Sequence, residues 1–234
     1  MTLLGVDGCR AGWIVATAPS EGARPRFSLF PTFAELLREL ASGDALACVD
    51  VPIGLCDAER RCDREARALL GPARACSVFT PPSRSALAGA TPEAARRLNL
   101  RATGRSLSAQ TIGIVPKIRE VDVAMTPALQ RRVREVHPEL VFASLSPARL
   151  GLAASKMTEH GRGERLALLP PALAAAAPSR TDRTFPASAV ALDDYVDALA
   201  ALVTAGRLLR GEARRVPRGG VDRDAWGLAM EIAW

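Results

Sequence analysis

The sequence is poor in the residues that most often announce a function. Its five cysteines, Cys9, Cys48, Cys56, Cys62 and Cys76, are odd in number and form no CxxC pair. That argues against a disulfide framework and against a cysteine-based structural zinc site. Aromatic residues make up 4%, so no stacking platform for single-stranded nucleic acid is evident. No stretch approaches the roughly 18 apolar residues of a membrane-spanning helix. The longest candidate, Leu166–Ala177, is broken by Pro170 and Pro171, so no membrane association is expected. The opening Met1–Asp7 has no basic segment, so it does not read as a secretory signal, and a cytoplasmic location is the expectation. Lysine is nearly absent. Only Lys117 and Lys156 break an otherwise all-arginine cationic set, and a compact ammonium is not interchangeable with a guanidinium. The net charge of +6 permits a polyanionic partner without requiring one.

What is present supports a folded α/β protein. A hydrophobic fraction of 48% over 234 residues suffices for a core, and we expect one domain over residues 1–234 with an elaboration at about 56–125. Leu3–Val6, Trp13–Ala18 and Arg26–Pro31 read as three strands with short links, an antiparallel meander. Thr32 and Glu35 have capping-box spacing, and Phe33, Leu36, Leu37 and Leu40 follow at helical intervals. Ala45–Val51 is apolar on every side, as a strand covered on both faces must be. Ala58–Leu70 and Pro92–Ala102 read as helices, and Gly104–Gly113 as a polar loop. Ile114–Ile118 reads as extended around Pro116, Pro127–Arg134 as a short helix, and Val136–Leu145 as an edge strand interrupted by Pro138. Gly151–Gly163 is a basic connection, and Ala172–Phe185 the loosest segment. Leu192–Leu209 is the clearest helix, and Trp226–Trp234 a closing strand.

The acidic residues carry the chemistry. Asp7 ends the apolar run Leu3–Val6, and Asp50 ends the run Leu46–Val49. A carboxylate at the end of a buried strand is costly unless a cation balances it. Side chains at strand ends of open α/β sheets tend to border the ligand crevice. Asp194 and Asp197 are three apart and share a helix face. Acidic residues suit a helix N-terminus, which explains Asp193 best, whereas Asp197 lies further in beside the apolar stripe. Carboxylates converging from such distant segments repel one another unless a divalent metal sits among them, which points to metal-assisted phosphate chemistry. Glu135, His137 and Glu139 alternate along the presumed strand and would face one side, able to bind a metal or to orient the imidazole as a general base. His160 reads as a surface residue. Two basic clusters suit a substrate phosphate: Lys117 after the polar loop with Arg105, Ser108 and Gln110, and Lys156 with Arg162 and Arg165.

Two strand-end aspartates and an Asp-x-x-Asp-Ala helix together resemble the RNase H-like nucleases and Holliday-junction resolvases. Over nearly the whole length, Gly5–Trp13, Asp50–Leu55, Ser77–Pro82, Gln110, Pro116–Asp122, Glu135–Glu139 and Asp193–Ala198 resemble the family catalogued as domain of unknown function 429. Its members are described as predicted RNase H-like nucleases, and the Glu-Val-His-Pro-Glu and Pro-Lys-Ile-x-Glu-x-Asp strings carry the resemblance to this family most specifically.

The resemblance implies a mixed five-stranded sheet flanked by helices, with a helical insertion after the fourth strand. It also implies two Mg2+ or Mn2+ ions about 4 Å apart, held by Asp7, Asp50, Asp194 and Asp197. Asp7 would lie between them, Glu135 and His137 would assist nearby, and Arg10, Gln110, Lys117, Lys156 and Arg165 would hold the substrate. That substrate would be nucleic acid or a smaller phosphate ester. Two other readings stay open: an actin- or sugar-kinase-like nucleotide-binding protein, and a binding module without turnover. The sequence leaves the roles of Glu120, Asp122 and Glu139, and the oligomeric state, undetermined.

Overall fold

Alternation along the first strands sets the layers of the molecule. In the computed structural model, which describes residues 1–20, 22–41 and 43–234, strands β1 (Thr2–Cys9), β2 (Gly12–Ala18) and β3 (Arg26–Phe30) form the expected meander, followed by helix α1 (Phe33–Ala41). The oxygen Oγ1 of Thr32 accepts from Glu35 N at 3.3 Å, so the capping expectation holds. Strand β4 (Ala45–Val49) is buried at every position. Helices α2 (Arg61–Leu70), α3 (Pro92–Thr103) and α4 (Ala109–Ala124) follow it as the insertion, before strand β5 (Val133–Glu135) and helix α5 (Pro138–Leu145). Helices α6 (Glu159–Leu168), α7 (Pro171–Ala174) and α8 (Leu192–Leu209) come next. The short strands β6 (Arg215–Val216), β7 (Asp222–Arg223), β8 (Ala229–Met230) and β9 (Ile232–Ala233) end the chain.

The main sheet has the order β3-β2-β1-β4-β5, antiparallel across its first three members and parallel from β1 through β4 to β5. It is the mixed, helix-flanked sheet the resemblance implied. Leu4 and Val6 belong to one apolar cluster with Phe33, Leu36, Val115 and Ile118, so α1 and α4 cover that face. Leu3 and Cys9 belong to the other cluster, with Tyr195, Leu199 and Leu202 of α8. Gly5 and Asp7 share the parity of Leu3 and Cys9, so they also face α8. A Cβ on Gly5 would fall 2.0 Å from Ala198 O and 2.2 Å from Leu202 N. Helix α8 therefore crosses β1 backbone to backbone. Among the described residues no helix is long and apolar enough to cross a membrane.

Several local expectations fail for identifiable reasons. The polar loop over Gly104–Gly113 and the extended segment around Pro116 are mostly one helix, α4. Ser108 caps it by accepting from Thr111 N at 3.0 Å, and Pro116 lies inside it on the exposed side, where water can reach the carbonyl of Ile112 that loses its helical donor. Val136–Leu145 is not an edge strand, because Pro138 occupies the first turn of α5, a position that its fixed φ suits. The short helix expected at Pro127–Arg134 is only a 3-10 turn at Leu129–Arg131 leading into β5. Helix α6 starts inside the expected basic connection, where Thr158 accepts from Gly161 N at 3.0 Å. The closing strand is two short strands, β8 and β9.

Glu120 and Asp122 are structural. Oε2 of Glu120 accepts from Trp13 Nε1 at 2.9 Å and from Phe33 N at 2.8 Å, tying β2, α1 and α4 together. Asp122 pairs with Arg84, which also meets Asp224.

The close crossing predicts opposite effects for two glycines. Gly5→Ala should lower unfolding stability by at least about 2 kcal/mol, since the opposing atoms are backbone and cannot rotate away. Gly113→Ala, exposed in α4 with open space around it, should raise stability by about 0.5–1 kcal/mol. Urea unfolding of both variants checks the pair, and a tolerated Gly5→Ala would contradict the crossing.

Candidate active site

The crossing at Gly5 decides which carboxylates meet. Asp7 lies two residues beyond Gly5 on β1, and Asp194 and Asp197 lie within the turn of α8 that precedes Ala198. Val6 pairs with Val49 in the parallel register, and Asp50 N donates to Val6 O at 3.0 Å. Asp50 is thus held at the strand end beside Asp7. All four carboxylates line one cavity of about 360 Å3, together with Asp63, Glu135, His137, Glu139 and Lys156.

Their environment is unfavourable to negative charge. Asp7 is 8% exposed and Asp197 is fully buried. Burial, then the neighbouring Asp197, Asp50 and Asp194, hold the Asp7 carboxyl well above the usual range, with Lys156 opposing. Burial pushes Asp50 up to about 7 and Asp197 up to about 6, against the pull of Lys156. Asp194 rises to about 6, again mainly through burial, although its Oδ2 accepts from Ala191 N at 2.8 Å. That bond satisfies the backbone N–H of the N-cap residue Ala191, and Asp193 lies in the same first turn of α8, as expected of an acidic residue there. Asp7 Oδ1 accepts from Gly8 N at 2.8 Å. Asp197 Oδ2 bonds to Lys156 Nζ, while its buried Oδ1 has no partner.

The cavity lining also includes a braced polar network. Glu135 closes β5 and accepts from Arg60 Nη2 at 2.7 and 2.8 Å and from Ile53 N at 2.7 Å. Burial raises Glu135, but these three contacts favour its ionised form. Its oxygens are committed to that scaffold. Asp63, 2% exposed, has one oxygen, Oδ2, 3.5 Å from Arg60 Nε and without a hydrogen bond. His137 precedes α5, and its Nε2 lies 3.2 Å from Ser77 O. A carbonyl only accepts, so Nε2 carries the proton and Nδ1 is left as a lone pair, buried without a partner. Burial also lowers the His137 pKa, keeping the ring neutral at pH 7.

Not every expected residue reaches the cavity. The assumed alternation of Glu135, His137 and Glu139 is replaced by a strand end, a helix cap and a first helical turn. Arg165, expected to hold substrate, is fully buried. It pairs with Glu139 at 2.7 Å and donates to Ala154 O and Gly161 O, so it is an internal brace. Lys117 lies over the Trp13 ring at 4.8 Å and 3.8 Å from Glu120, outside the cavity lining. Arg10 is exposed in the β1–β2 turn and does not line it either. Gln110 does, and it also lines an adjoining cavity of about 500 Å3 that shares Val78 and Phe79. Asp63 and Arg74 are lining residues that the sequence did not single out. Arg74 donates to Leu152 O at 2.5 Å, to Ala153 O at 2.9 Å and to Ala154 O, clamping the segment that carries Lys156. His160 is exposed and paired with Glu164, as expected of a surface residue.

Oxygen donors of this kind suit a hard divalent cation, and Asp197 Oδ1 is buried without a partner. The carboxylates are nevertheless not drawn together into a ready-made ligand set. Among the described residues no three His, Cys, Asp or Glu side chains are grouped closely enough to hold a metal ion.

The chain belongs to the family described as "Protein of unknown function (DUF429)", whose model matches residues 5–220. No curated protein and no solved structure matches it.

The raised carboxyls set a pH dependence. A carboxyl with a higher pKa in the folded chain than in the unfolded one binds its proton more tightly when folded. It therefore contributes nothing adverse below the unfolded value of about 4 and becomes a penalty as pH rises through the folded value. For Asp50 that window runs from about 4 to about 7. In chelator-treated protein, Asp50→Asn should raise the thermal midpoint by about 2–4 °C at pH 7.5 and leave it unchanged near pH 4.5. Thermal melts across that range check this, and a pH-independent difference would contradict it.

Proposed function

We propose that the chain is a divalent-metal-dependent phosphodiester hydrolase, a nuclease or a hydrolase of related phosphate esters. The observation that carries the reading is four carboxylates from three separate elements facing one cavity, with Lys156 the one cation paired with any of them among the described residues. A fold that needed only stability would not bury this much unbalanced charge. Asp7, Asp50, Asp194 and Asp197 are the residues to hold Mg2+ or Mn2+, since hard cations prefer carboxylate oxygens. Such an ion, when bound, supplies charge neutralisation, a more acidic water and stabilisation of the leaving oxygen.

The chain's own groups supply the rest. The neutral His137 ring can accept a proton at Nδ1, its unpartnered nitrogen. Arg60 and the Ile53 N–H hold Glu135, which lines the same cavity. The adjoining cavity, bordered by Gln110 and by the exposed Arg105, offers room for a substrate longer than one phosphate ester, which favours a nucleotide chain over inorganic phosphate.

The test is hydrolysis of DNA, RNA and a chromogenic phosphodiester with Mn2+ or with chelator. Asp7→Asn should lose activity by at least the roughly 10–100-fold that loss of an outer-sphere partner costs. Equal cleavage by wild type and Asp7→Asn, or none of these substrates cleaved with Mn2+, would remove the proposal.

A further inference from the structure

Lys156 is the one lysine brought to the carboxylates, and its surroundings separate what is fixed from what can move. The backbone around it is pinned. Arg74 takes the carbonyls of Leu152, Ala153 and Ala154, and Arg165 also takes Ala154 O. Helix α6 presses on the same loop, since a Cβ on Gly161 would fall 2.1 Å from Ser155 O. The Lys156 side chain is 39% exposed, whereas the Asp197 side chain it meets is 1% exposed. A long flexible stem thus reaches from a rigid anchor, at the edge of solvent, to a buried carboxylate. Only Oδ2 of that carboxylate is used, and Oδ1 remains buried without a partner in the same cavity. One ammonium cannot satisfy both oxygens and also neutralise Asp7 and Asp50.

We propose that Lys156 is a tethered counter-cation that a divalent metal displaces from Asp197, and that the released ammonium then binds an anionic group of the substrate. This rests on the carboxylate cluster being the cation site proposed above. Two consequences follow from charge alone. In the absence of anion, metal entry must break the Lys156–Asp197 bond, so the resting affinity for metal is low. An anion at the cavity mouth draws the ammonium off Asp197, so anion and metal each strengthen the binding of the other by the same factor. The arrangement makes the carboxylates fully available only when a phosphate-bearing ligand is present. Arginine would not serve equally, because its planar fork would engage the carboxylate at two points and release it less readily.

The experiment measures Mn2+ binding by calorimetry to chelator-treated, dialysed wild type, Lys156→Met and Lys156→Arg. Each is titrated in sodium chloride and in sodium sulfate of equal ionic strength. Circular dichroism melts establish that each variant is folded. We expect Lys156→Met to bind Mn2+ at least about tenfold more tightly than wild type, the factor that one charge-assisted hydrogen bond contributes. Lys156→Arg should bind no more tightly than wild type, which keeps the test informative if the methionine variant fails to fold. Sulfate should tighten Mn2+ binding to wild type and leave Lys156→Met unaffected. If wild type binds Mn2+ and Lys156→Met binds it equally or more weakly, the counter-cation is refuted while the metal site stands. The same holds if sulfate acts alike on wild type and Lys156→Met. If none of the three proteins binds Mn2+, the metal site falls and this inference falls with it.

Discussion

The contact between the backbones of β1 and α8 at Gly5 is the constraint on which the candidate site depends. Without a side chain at that position the helix can lie directly on the strand, with Ala198 and Leu202 over it. The crossing brings the first turns of α8 to the end of β1 that carries Asp7. The parallel register of β1 with β4 then adds Asp50 from the next strand. Three segments far apart in sequence deliver carboxylates to one cavity because two backbones touch at one glycine.

That convergence opposes stability, and the surrounding structure is arranged to bear it. Burial and mutual repulsion push the acidic side chains toward their protonated forms. Two buried arginines, Arg60 and Arg165, and the half-buried Arg74 brace the walls. Arg60 holds Glu135, Arg165 holds Glu139 and the loop at Ala154, and Arg74 clamps that loop from the other side. Arginine suits this work because its planar fork makes several directed bonds at once without losing its charge. The one ammonium that reaches the carboxylates stands on the braced loop, so rigidity is concentrated in the backbone and freedom in a single side chain. Sites that hold unbalanced charge commonly trade stability for chemistry in this way.

Much of the scaffold was legible from residue order. The meander, the capped helix after Thr32, the doubly covered strand Ala45–Val49 and the long helix from Leu192 follow from periodicity, and local periodicity reflects local burial. Proline misled twice. Pro116 suggested an extended segment but lies on the outer side of α4, where a helix tolerates it. Pro138 suggested an edge strand but opens α5. Both readings treated proline as a breaker when its position relative to the cap and to solvent decided the outcome. Among the site residues, strand-end placement pointed to Asp7 and Asp50, and helical spacing to Asp194 and Asp197. Nothing local could show that Glu135 is spent on Arg60, or that Arg165 is an interior brace. Each outcome depends on a partner tens of residues away. Asp63 and Arg74 lie in ordinary charged stretches and carry no local mark at all.

The sequence by itself determined the element types over most of the chain and the family membership, and it singled out four acidic residues that share one cavity. Those properties are written in spacing, capping and apolar runs that act over a few neighbouring residues. Only the tertiary structure decided which charges meet: Lys156 with Asp197, Arg165 with Glu139, and a His137 nitrogen with no partner. Pairing between charges depends on where chain segments cross in space, and that crossing is set by close packing at positions such as Gly5 and Gly161, whose significance appears only once the opposing backbone is in place.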